Sequence, residues 1–498
     1  MDALWLVLDI GTSSAKAALI DSENTVVAST AHAYQTFSAA GGVNEQDALD
    51  WWRAVLAVCA QLGTPIQQVS AVAVTGQMQN AILIDPAGTP VHPVILYNDT
   101  RAHAEAAAII DRFGVENLID LTGNEQGADS LWAKLAWLAH HQPGAAAACS
   151  TILFGAADFI VRRMSGMAVT DVTTASTTGL LDLRARGWLS AAVLDEMGIG
   201  WVRDRLPMLM AGGAHCGALT PAAAAETGLR AGIPVYLAPG DAGAATIGAG
   251  SGEPGRAYAY LGTSGWIAFT TLIPGNPLHG VFTLAHPRFG HFIQIAPLLT
   301  AAGNLEWVRD LFQAGDVEPL IDQAADRPPT SILYLPYLNG ERTPFRDPLA
   351  RAAFIGIGST TTQADLVRAV LEGVAFGYHH ALDALMPRTP DRLTLTGGGA
   401  RSRAWCQLFA DILGIEIGIA GESEFVGVRG ALKAVQVASG KTYSYHLNDY
   451  PPAETVLTPN PAYAEQYRAK YSQYRAAYPA LRSVFTAMGE QRPIDDLV

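Results

Sequence analysis

Two short stretches recur in the same order half a chain apart, and this restricts the fold more than any other feature. Leu8-Asp-Ile-Gly-Thr-Ser-Ser14 has a counterpart in Ala259-Tyr-Leu-Gly-Thr-Ser-Gly265, and Val72-Ala-Val-Thr-Gly76 in Leu393-Thr-Leu-Thr-Gly397. The first pair reads as strand, Gly-Thr-Ser turn, strand; the second reads as a strand closing on Thr-Gly. Gly11 and Gly262 lie 251 positions apart in a chain of 498 residues. Gly-Thr-Ser is a common turn composition, so coincidence is the alternative to duplication. Shared order and half-length spacing favour duplication, with each half opening on a hydroxyl-lined β-hairpin.

A prior of roughly 150 residues per domain gives about three domains, and two of about 250 fit as well. Hydrophobic residues make up 49% and charged residues 16%, a globular and not a disordered composition. The net charge of −14 provides no global field for a phosphate backbone, so no nucleic-acid partner is expected. Cys59, Cys149, Cys216 and Cys406 form no C-x-x-C and no metal-ligand spacing, which favours a reducing cytoplasm. No apolar run approaches the roughly 18 residues of a membrane span. Asp2 and Asp9 precede any basic segment, so no signal peptide and no membrane partner are expected.

Local patterns place the remaining elements. Leu4 to Leu8 and Ala15 to Ile20 read as the hairpin strands, and Ala71 to Val74 as a third strand. Ala102 to Ile110 and Leu131 to Leu138 read as helices. Val235 to Ala238 is a strand ending at Pro239-Gly240-Asp241, and Gly250 to Gly255 is a candidate hinge between the halves. A strand at Leu393 to Leu395 runs into Thr396-Gly-Gly-Gly-Ala-Arg401, with Ser402 as N-cap of the next helix. Such a loop lets backbone approach a ligand and aims free N–H groups at an anion. Thr362 and Asp365 form a capping box for another helix. Tyr463, Tyr467, Tyr471, Tyr474 and Tyr478 recur at helical spacing and read as the packing stripe of a terminal helix.

The chain has no G-x-x-x-x-G-K-[ST], which excludes a P-loop enzyme. It has no H-E-x-x-H and no clustered His/Cys set, so zinc chemistry is not expected. No G-x-S-x-G occurs in a strand-turn-helix context that would make a hydrolase elbow. Two facing Gly-Thr-Ser hairpins would offer N–H and hydroxyl donors to a polyphosphate from both sides. Asp9, at the end of the first strand, is suited to hold Mg²⁺ through water. Lys16 is placed to reach a transferring phosphoryl group. Asp241 is suited to accept a proton from an attacking hydroxyl. A lone strand-end aspartate is ordinarily a turn or cap residue; two beside matching Gly-Thr-Ser turns favour chemistry.

With these residues in view, the chain resembles the FGGY family of carbohydrate kinases, and most its xylulokinase branch. The resemblance is carried by Asp9-Ile-Gly-Thr-Ser13 with Lys16, Gly76-Gln-Met78, Asn98-Asp-Thr-Arg101, Gly240-Asp241 and Leu261-Gly-Thr-Ser-Gly265. It continues through Leu335-Pro-Tyr-Leu-Asn-Gly-Glu-Arg-Thr-Pro344, Phe354 to Glu372 and Gly397-Gly-Gly-Ala-Arg401. It implies an actin/hexokinase-like α/β fold, two duplicated ribonuclease-H-like domains flanking a cleft. The implied organisation is a mainly sugar-binding domain over 1–248, a mainly ATP-binding domain over 256–440, and a helical tail over 441–498 packed on the second domain. By the same resemblance Asp241 is the general base and Asp9 serves the metal and phosphate region. Thr12, Lys16, Gly262 and Thr263 line the phosphates, and Gly398, Gly399 and Ala400 approach the nucleotide. Met78 and Gln79 contact sugar, with Asp99 nearby. ATP and Mg²⁺ are the implied cofactors, a small sugar is the partner, and a homodimer is compatible with the family.

Some positions differ from the xylulokinase pattern. Gln79 stands where that branch usually has His, Tyr97 where it has Trp, and Ala242 where it has Asn. Thr170 to Gly179 reads closer to other branches. The first three are expected beside the sugar, so they bear on which sugar is taken and not on phosphoryl transfer. Glu341 and Arg342 match the family, and a structural ion pair behind an Asn339-Gly340 turn explains them equally well. The expected activity is transfer of a phosphoryl group from ATP to the terminal hydroxyl of a ketose, D-xylulose first. Other pentuloses, polyols and sugar acids are the alternatives within the family. An actin-like nucleotide switch is the alternative outside it.

Overall fold

Alternation along the first strand, β1 (Leu4–Ile10), sorts the molecule into layers. Leu6, Leu8 and Ile10 enter one core, while Val7 enters another on the opposite face, and Asp9 shares the side of Val7. The computed structural model describes residues 4–325, 327–386, 388–421, 423–448 and 454–490. Beside β1 lie β2 (Ser14–Ile20) and β3 (Val26–Ala33), both antiparallel to their neighbours. On the other side β4 (Val69–Gly76) runs parallel to β1. The edge strand β5 (Ala214–Ala218) pairs antiparallel with β6 (Pro234–Leu237), which is parallel to β4. The order is β5-β6-β4-β1-β2-β3.

Helix α1 (Ala48–Leu62) covers the first of those faces, together with α2 (Ala156–Ser165). Asp47 caps α1 by accepting from Leu49 N at 2.9 Å, and Trp51, Val55, Val58 and Leu62 recur on its buried side. Helix α3 (Asp241–Thr246) then leads through a turn at Ile247–Ser251 into the second half.

The second sheet repeats the first. Its strands are β7 (Ala257–Leu261), β8 (Gly265–Thr271), β9 (Phe282–Ala285), β10 (Phe292–Leu298), β11 (Arg392–Thr396), β12 (Glu416–Ala420) and β13 (Glu454–Leu457). They lie in the order β9-β10-β8-β7-β11-β12-β13. The β7–β8–β10 meander matches β1–β2–β3, β7 and β11 are parallel like β1 and β4, and β12 and β13 repeat β6 and β5. β9 is the addition, an outer edge with no counterpart in the first sheet. The expected duplication is therefore a duplication of topology.

The shared Thr-Gly endings have a steric cause. A Cβ on Gly76 would come 2.7 Å from Ile10 O, and one on Gly397 would come 2.8 Å from Leu261 O. In each half the parallel neighbour ends against the carbonyl that enters the hairpin, and a side chain there has no room.

Helix α4 (Gln363–Leu385) starts at the Thr362–Asp365 capping box and, with α5 (Arg403–Leu413), forms the core of the second half. Helix α6 (Val426–Ala438) belongs to the second half in sequence but packs on the first sheet. Its Val428, Ala431, Leu432 and Val435 meet Val7, Ala18, Ile20 and Ala73. α3 and the turn that follows it cross α6 at backbone contact: a Cβ on Gly248 in the turn would run into Val426 O, and one on Gly430 into Ala244 O of α3. The expected hinge stretch is anchored within this seam. Glu253 accepts from Arg288 Nη1 at 2.8 Å and Tyr445 N at 2.8 Å.

The tail is not helical throughout, because it first supplies β13 to the edge of the second sheet. Helix α7 (Ala464–Glu490) follows and packs on the second core through Tyr467, Tyr474 and Tyr478, as its tyrosine stripe predicts. Tyr474 OH and Tyr337 OH lie 2.9 Å apart within that core. Residues 449–453 and 491–498 of the expected tail lie outside the described residues.

Candidate active site

Hairpin register brings the first two charges together. Asp9 on β1 is the direct cross-strand partner of Lys16 on β2, on the face that looks toward α6. A Cβ on Gly427 at the start of α6 would lie 3.1 Å from Asp9 Oδ2, so this carboxyl sits close under backbone. Desolvation raises the Asp9 pKa and the Lys16 charge opposes that rise. The turn is braced from behind, with Gln46 Nε2 donating to Thr12 O at 2.6 Å and Tyr34 OH donating to Gly11 O.

Asp241 does not end a strand. β6 stops at Leu237, and Asp241 is the first residue of α3, reached through Ala238-Pro239-Gly240. Ala242 N donates to Asp241 Oδ1 at 2.7 Å, and Thr75 Oγ1 donates to Pro239 O at 2.6 Å, which ties the connection to the end of β4. Desolvation lifts the Asp241 pKa to about 7, with the negative charges of Asp9 and Asp171 adding to the rise. Asp9 and Asp241 thus sit close enough to feel each other, with Lys16 beside them. A carboxyl with a pKa near neutrality is suited to exchange a proton at physiological pH.

A cavity of about 170 Å³ opens beside Asp241. Met78, Gln79 and Ala242 line it from the first half, and Phe282, Leu284 and Ile295 from the second. Gln79 is held at φ 59°, a left-handed conformation uncommon for a side-chain-bearing residue and found at ligand sites. Its Nε2 donates to Asp129 O at 3.2 Å. The rest of the polar wall is Asn124, Glu125, Gln126, Asp129, Ser130 and Thr177. Thr177 belongs to the Thr170–Gly179 stretch, which was not expected beside the sugar; the other five escaped the sequence analysis, their only signal a polar, glycine-containing stretch just before the helix Leu131–His141. Asn124 also grips the second half, donating to Thr283 O at 2.8 Å and accepting from Thr283 N at 2.7 Å.

Two residues expected near the sugar stand elsewhere. Asp99 does not line the cavity. It is buried and its oxygens accept from Asn44 N at 2.7 Å and from Arg101 Nη2 at 2.6 Å, while Arg101 Nη1 pairs with Glu45 at 2.7 Å. Tyr97 is 40% exposed, also outside the cavity lining, and its carbonyl accepts from the buried Lys134 Nζ at 3.0 Å.

On the other side of the cleft lies the second hairpin. Gly262 N closes the turn by donating to Ser264 O at 3.1 Å. Thr263 is exposed, and its carbonyl accepts from Ala301 N at 2.9 Å at the start of the helix Gly303–Leu311. The glycine loop does not enter its helix directly. A single 3₁₀ turn, Gly398–Arg401, intervenes, and Ser402 then caps α5 by accepting from Trp405 N at 3.2 Å. A Cβ on Gly398 would meet nothing within 4 Å, so this glycine faces open space, whereas Gly399 packs against Leu261 and Ala400 is buried.

Glu341 and Arg342 do not pair with each other. Glu341 accepts from Leu299 N at 3.0 Å and Arg342 N at 2.7 Å, and burial lifts its pKa to about 7. The Arg342 guanidinium lies 5.1 Å above the Phe282 ring.

The arrangement is that of a phosphotransferase: two hydroxyl turns, an open glycine loop and a cleft carboxyl beside a polar cavity. Residues 4–248 match the N-terminal domain of the FGGY family of carbohydrate kinases and residues 257–438 its C-terminal domain. The chain belongs to that family, whose members are ATP-utilising kinases. It is 32% identical over 445 residues to the xylulose kinase of Escherichia coli K12, covering 88% of this chain and 90% of that protein. Among solved structures it resembles a "xyloylose kinase" from Brucella ovis at 31% identity and a TM-score of 0.88, over 97% of this chain and 100% of that one. A xylulose kinase from Rhodospirillum rubrum aligns at 28% identity and 0.87, again over 97% and 100%.

Proposed function

We propose that the chain phosphorylates the terminal hydroxyl of an open-chain ketose, D-xylulose first, giving D-xylulose 5-phosphate. The observation that carries this reading is the cavity itself, polar along Gln79, Gln126, Asp129 and Thr177 and ending at Ala242 beside Asp241. A ketose in that cavity has many hydroxyls to satisfy, and amide, hydroxyl and carboxylate groups are there to do so. Asp241 takes the proton of the attacking hydroxyl as the phosphoryl group arrives in line. Thr12 and Thr263, on opposing hairpins, position the phosphates, Lys16 offsets the developing charge, and Gly398 lets the nucleotide approach backbone.

Among the described residues no group of three or more His, Cys, Asp or Glu is arranged to hold a metal ion. Mg²⁺ commonly keeps several waters and takes one or two carboxylates plus substrate phosphates, and two desolvated carboxyls near one lysine fit that habit. Asp9 would hold the ion through water, and the ion when bound neutralises phosphate charge. No helix among the described residues is long and apolar enough to cross a membrane, and the four cysteines are buried free thiols, in keeping with a cytoplasmic enzyme.

A second reading within the family is supported by Gln79 and Ala242, which stand where a xylulokinase usually has His and Asn. Another neutral pentulose or a polyol would use the Gln79 amide as well. A sugar acid is disfavoured, because its carboxylate would face Asp129. A coupled assay of ADP release over ketoses, polyols and aldonates tests this. The expected result is the highest rate with D-xylulose. A higher rate with a polyol or aldonate overturns the choice of sugar, and ADP release indifferent to every sugar overturns the kinase reading in favour of a nucleotide switch.

A further inference from the structure

One turn of chain touches both the residue before Asp241 and the strand that walls the cavity from the second half. The turn Val172–Ala175 is capped by Asp171, whose buried carboxylate accepts from Thr173 N at 2.8 Å, Thr174 N at 3.2 Å and Thr174 Oγ1 at 2.5 Å. A fourth donor is Gly240 N at 3.2 Å, one residue ahead of Asp241. Gly240 is confined from outside as well, since a Cβ there would run into Met78 and Thr174 Oγ1. Asp171 is thus a buried carboxyl whose oxygens are satisfied by N–H and O–H donors, and one of those donors belongs to the connection that carries the cleft carboxyl.

The other side of the same turn meets β9. Thr173 Oγ1 donates to Ala285 O at 2.7 Å, and Ala285 N donates to Ser176 Oγ at 3.0 Å. Val172 and Leu183 pack with Ala285 and Phe292. Ala285 ends β9, and Phe282 and Leu284 of β9 wall the cavity. Thr173 and Ala285 are fully buried, so water does not replace a lost partner there.

We infer that Asp171 is a positioning residue for Asp241, and that the turn it caps transmits the seating of β9 to the base. With β9 seated, Thr173 and Ser176 hold the turn, the turn holds Asp171, and Asp171 holds the N–H ahead of Asp241. Asp171 lines no part of the cavity. A sugar between Gln79 and Phe282 keeps β9 in place and so orders the base, while in its absence water is a poor acceptor. The inference rests on Asp241 being the base.

Steady-state kinetics on the full chain test it, with the acceptor that gives the highest rate in the sugar screen. Asp171→Asn keeps shape but turns an amide toward donors, and it is expected to lower kcat about tenfold to a hundredfold, with the KM for ATP nearly unchanged. Thr173→Val is expected to lower kcat and to shrink the ratio of sugar-stimulated to sugar-independent ADP release. Thr173→Ser keeps the hydroxyl and restores both. A packing role alone would lower the melting temperature and leave kcat per folded molecule and the stimulation ratio at wild-type values; that result overturns the inference. If Asp171→Asn does not fold, the Thr173→Val and Thr173→Ser pair decides. When Asp241→Asn is inactive and the Thr173 variants run normally, the inference fails and the site reading stands. When Asp241→Asn is itself active, both fall.

Discussion

The two hairpins share a backbone and differ in what they hold across it. In the first, Asp9 faces Lys16; in the second, the equivalent cross-strand pair is Tyr260 and Trp266, stacked at 4.0 Å. Both turns close on a glycine N–H, with Gly11 N reaching Ser14 O at 3.0 Å and Gly262 N reaching Ser264 O at 3.1 Å. Both are abutted by a glycine from the parallel neighbour. The steric requirements have therefore been kept in both copies, and the electrostatic ones only in the first. A carboxyl beside an ammonium is a site for proton and phosphate chemistry, whereas an aromatic stack is a rigid platform that leaves the hydroxyls of its turn to bind.

The sharpest way to break this contrast is at Asp241, the cleft carboxyl that feels the charge of Asp9. Asp241→Asn is expected to lower kcat by roughly 10²–10⁴ while barely moving the KM for ATP. With a pKa of about 7 in the free protein, Asp241 must lose its proton before it can act. The wild-type kcat/KM should therefore rise with pH through about 7, and that limb should vanish in the variant. Turnover within a few-fold of wild type would remove Asp241 from the chemistry.

Asp9 and Tyr260 form the matched pair of variants. Asp9→Ala should cut turnover on the order of 10²-fold and flatten the dependence on Mg²⁺ concentration, because a charge at the reacting centre is lost. Tyr260→Leu should cost about 0.5–1.5 kcal/mol of stability from the lost stack, with turnover per folded molecule retained. Melting curves beside Mg²⁺ titrations separate the two. Equal losses of turnover would show that the halves divide the chemistry differently.

Smaller effects sharpen the contrast between sugar side and nucleotide side. Gln79→Ala should weaken sugar binding by about 1–3 kcal/mol and leave ATP binding alone, while Gln79→His should favour D-xylulose. An unaltered sugar KM and kcat in Gln79→Ala would place the specificity pocket elsewhere. Gly398→Val should do the converse to a lesser degree. Its side chain projects into open space, so folding is spared and the KM for ATP rises more than that for sugar. Equal changes in both constants would argue for a general distortion.

What was legible in the sequence was what repeats or obeys local rules. The Thr-Gly endings at Gly76 and Gly397 marked the parallel neighbours of the hairpins because close approach to Ile10 O and Leu261 O permits no side chain. The capping box at Thr362 and the cap at Ser402 were visible for the same local reason. The motif around Asp99 marks a position and not a role: Asp99 lies off the cavity wall and pairs with Arg101, two residues on. The polar cavity wall was invisible because it is assembled across distance. Asn124 meets Thr283, 159 positions away, and nothing in either stretch names the other. The strand β9 that supplies this partner has no copy in the first half, so duplication did not announce it either.

The crossing of α3 and α6 limits how such a protein can be rearranged. Because Val428, Ala431, Leu432 and Val435 finish a core that begins with Val7, Ala18 and Ile20, the duplicated units are not interchangeable cassettes. A chimaera joined in the 252–256 linker would bring its own α6 against a foreign sheet, and the meeting points at Gly248 and Gly430 tolerate no added atom. Inheritance of the two halves is thus bound together at a backbone contact beside the helix ends that carry Asp241 and cover Asp9, and recombination among relatives is constrained by a pair of glycines as well as by chemistry.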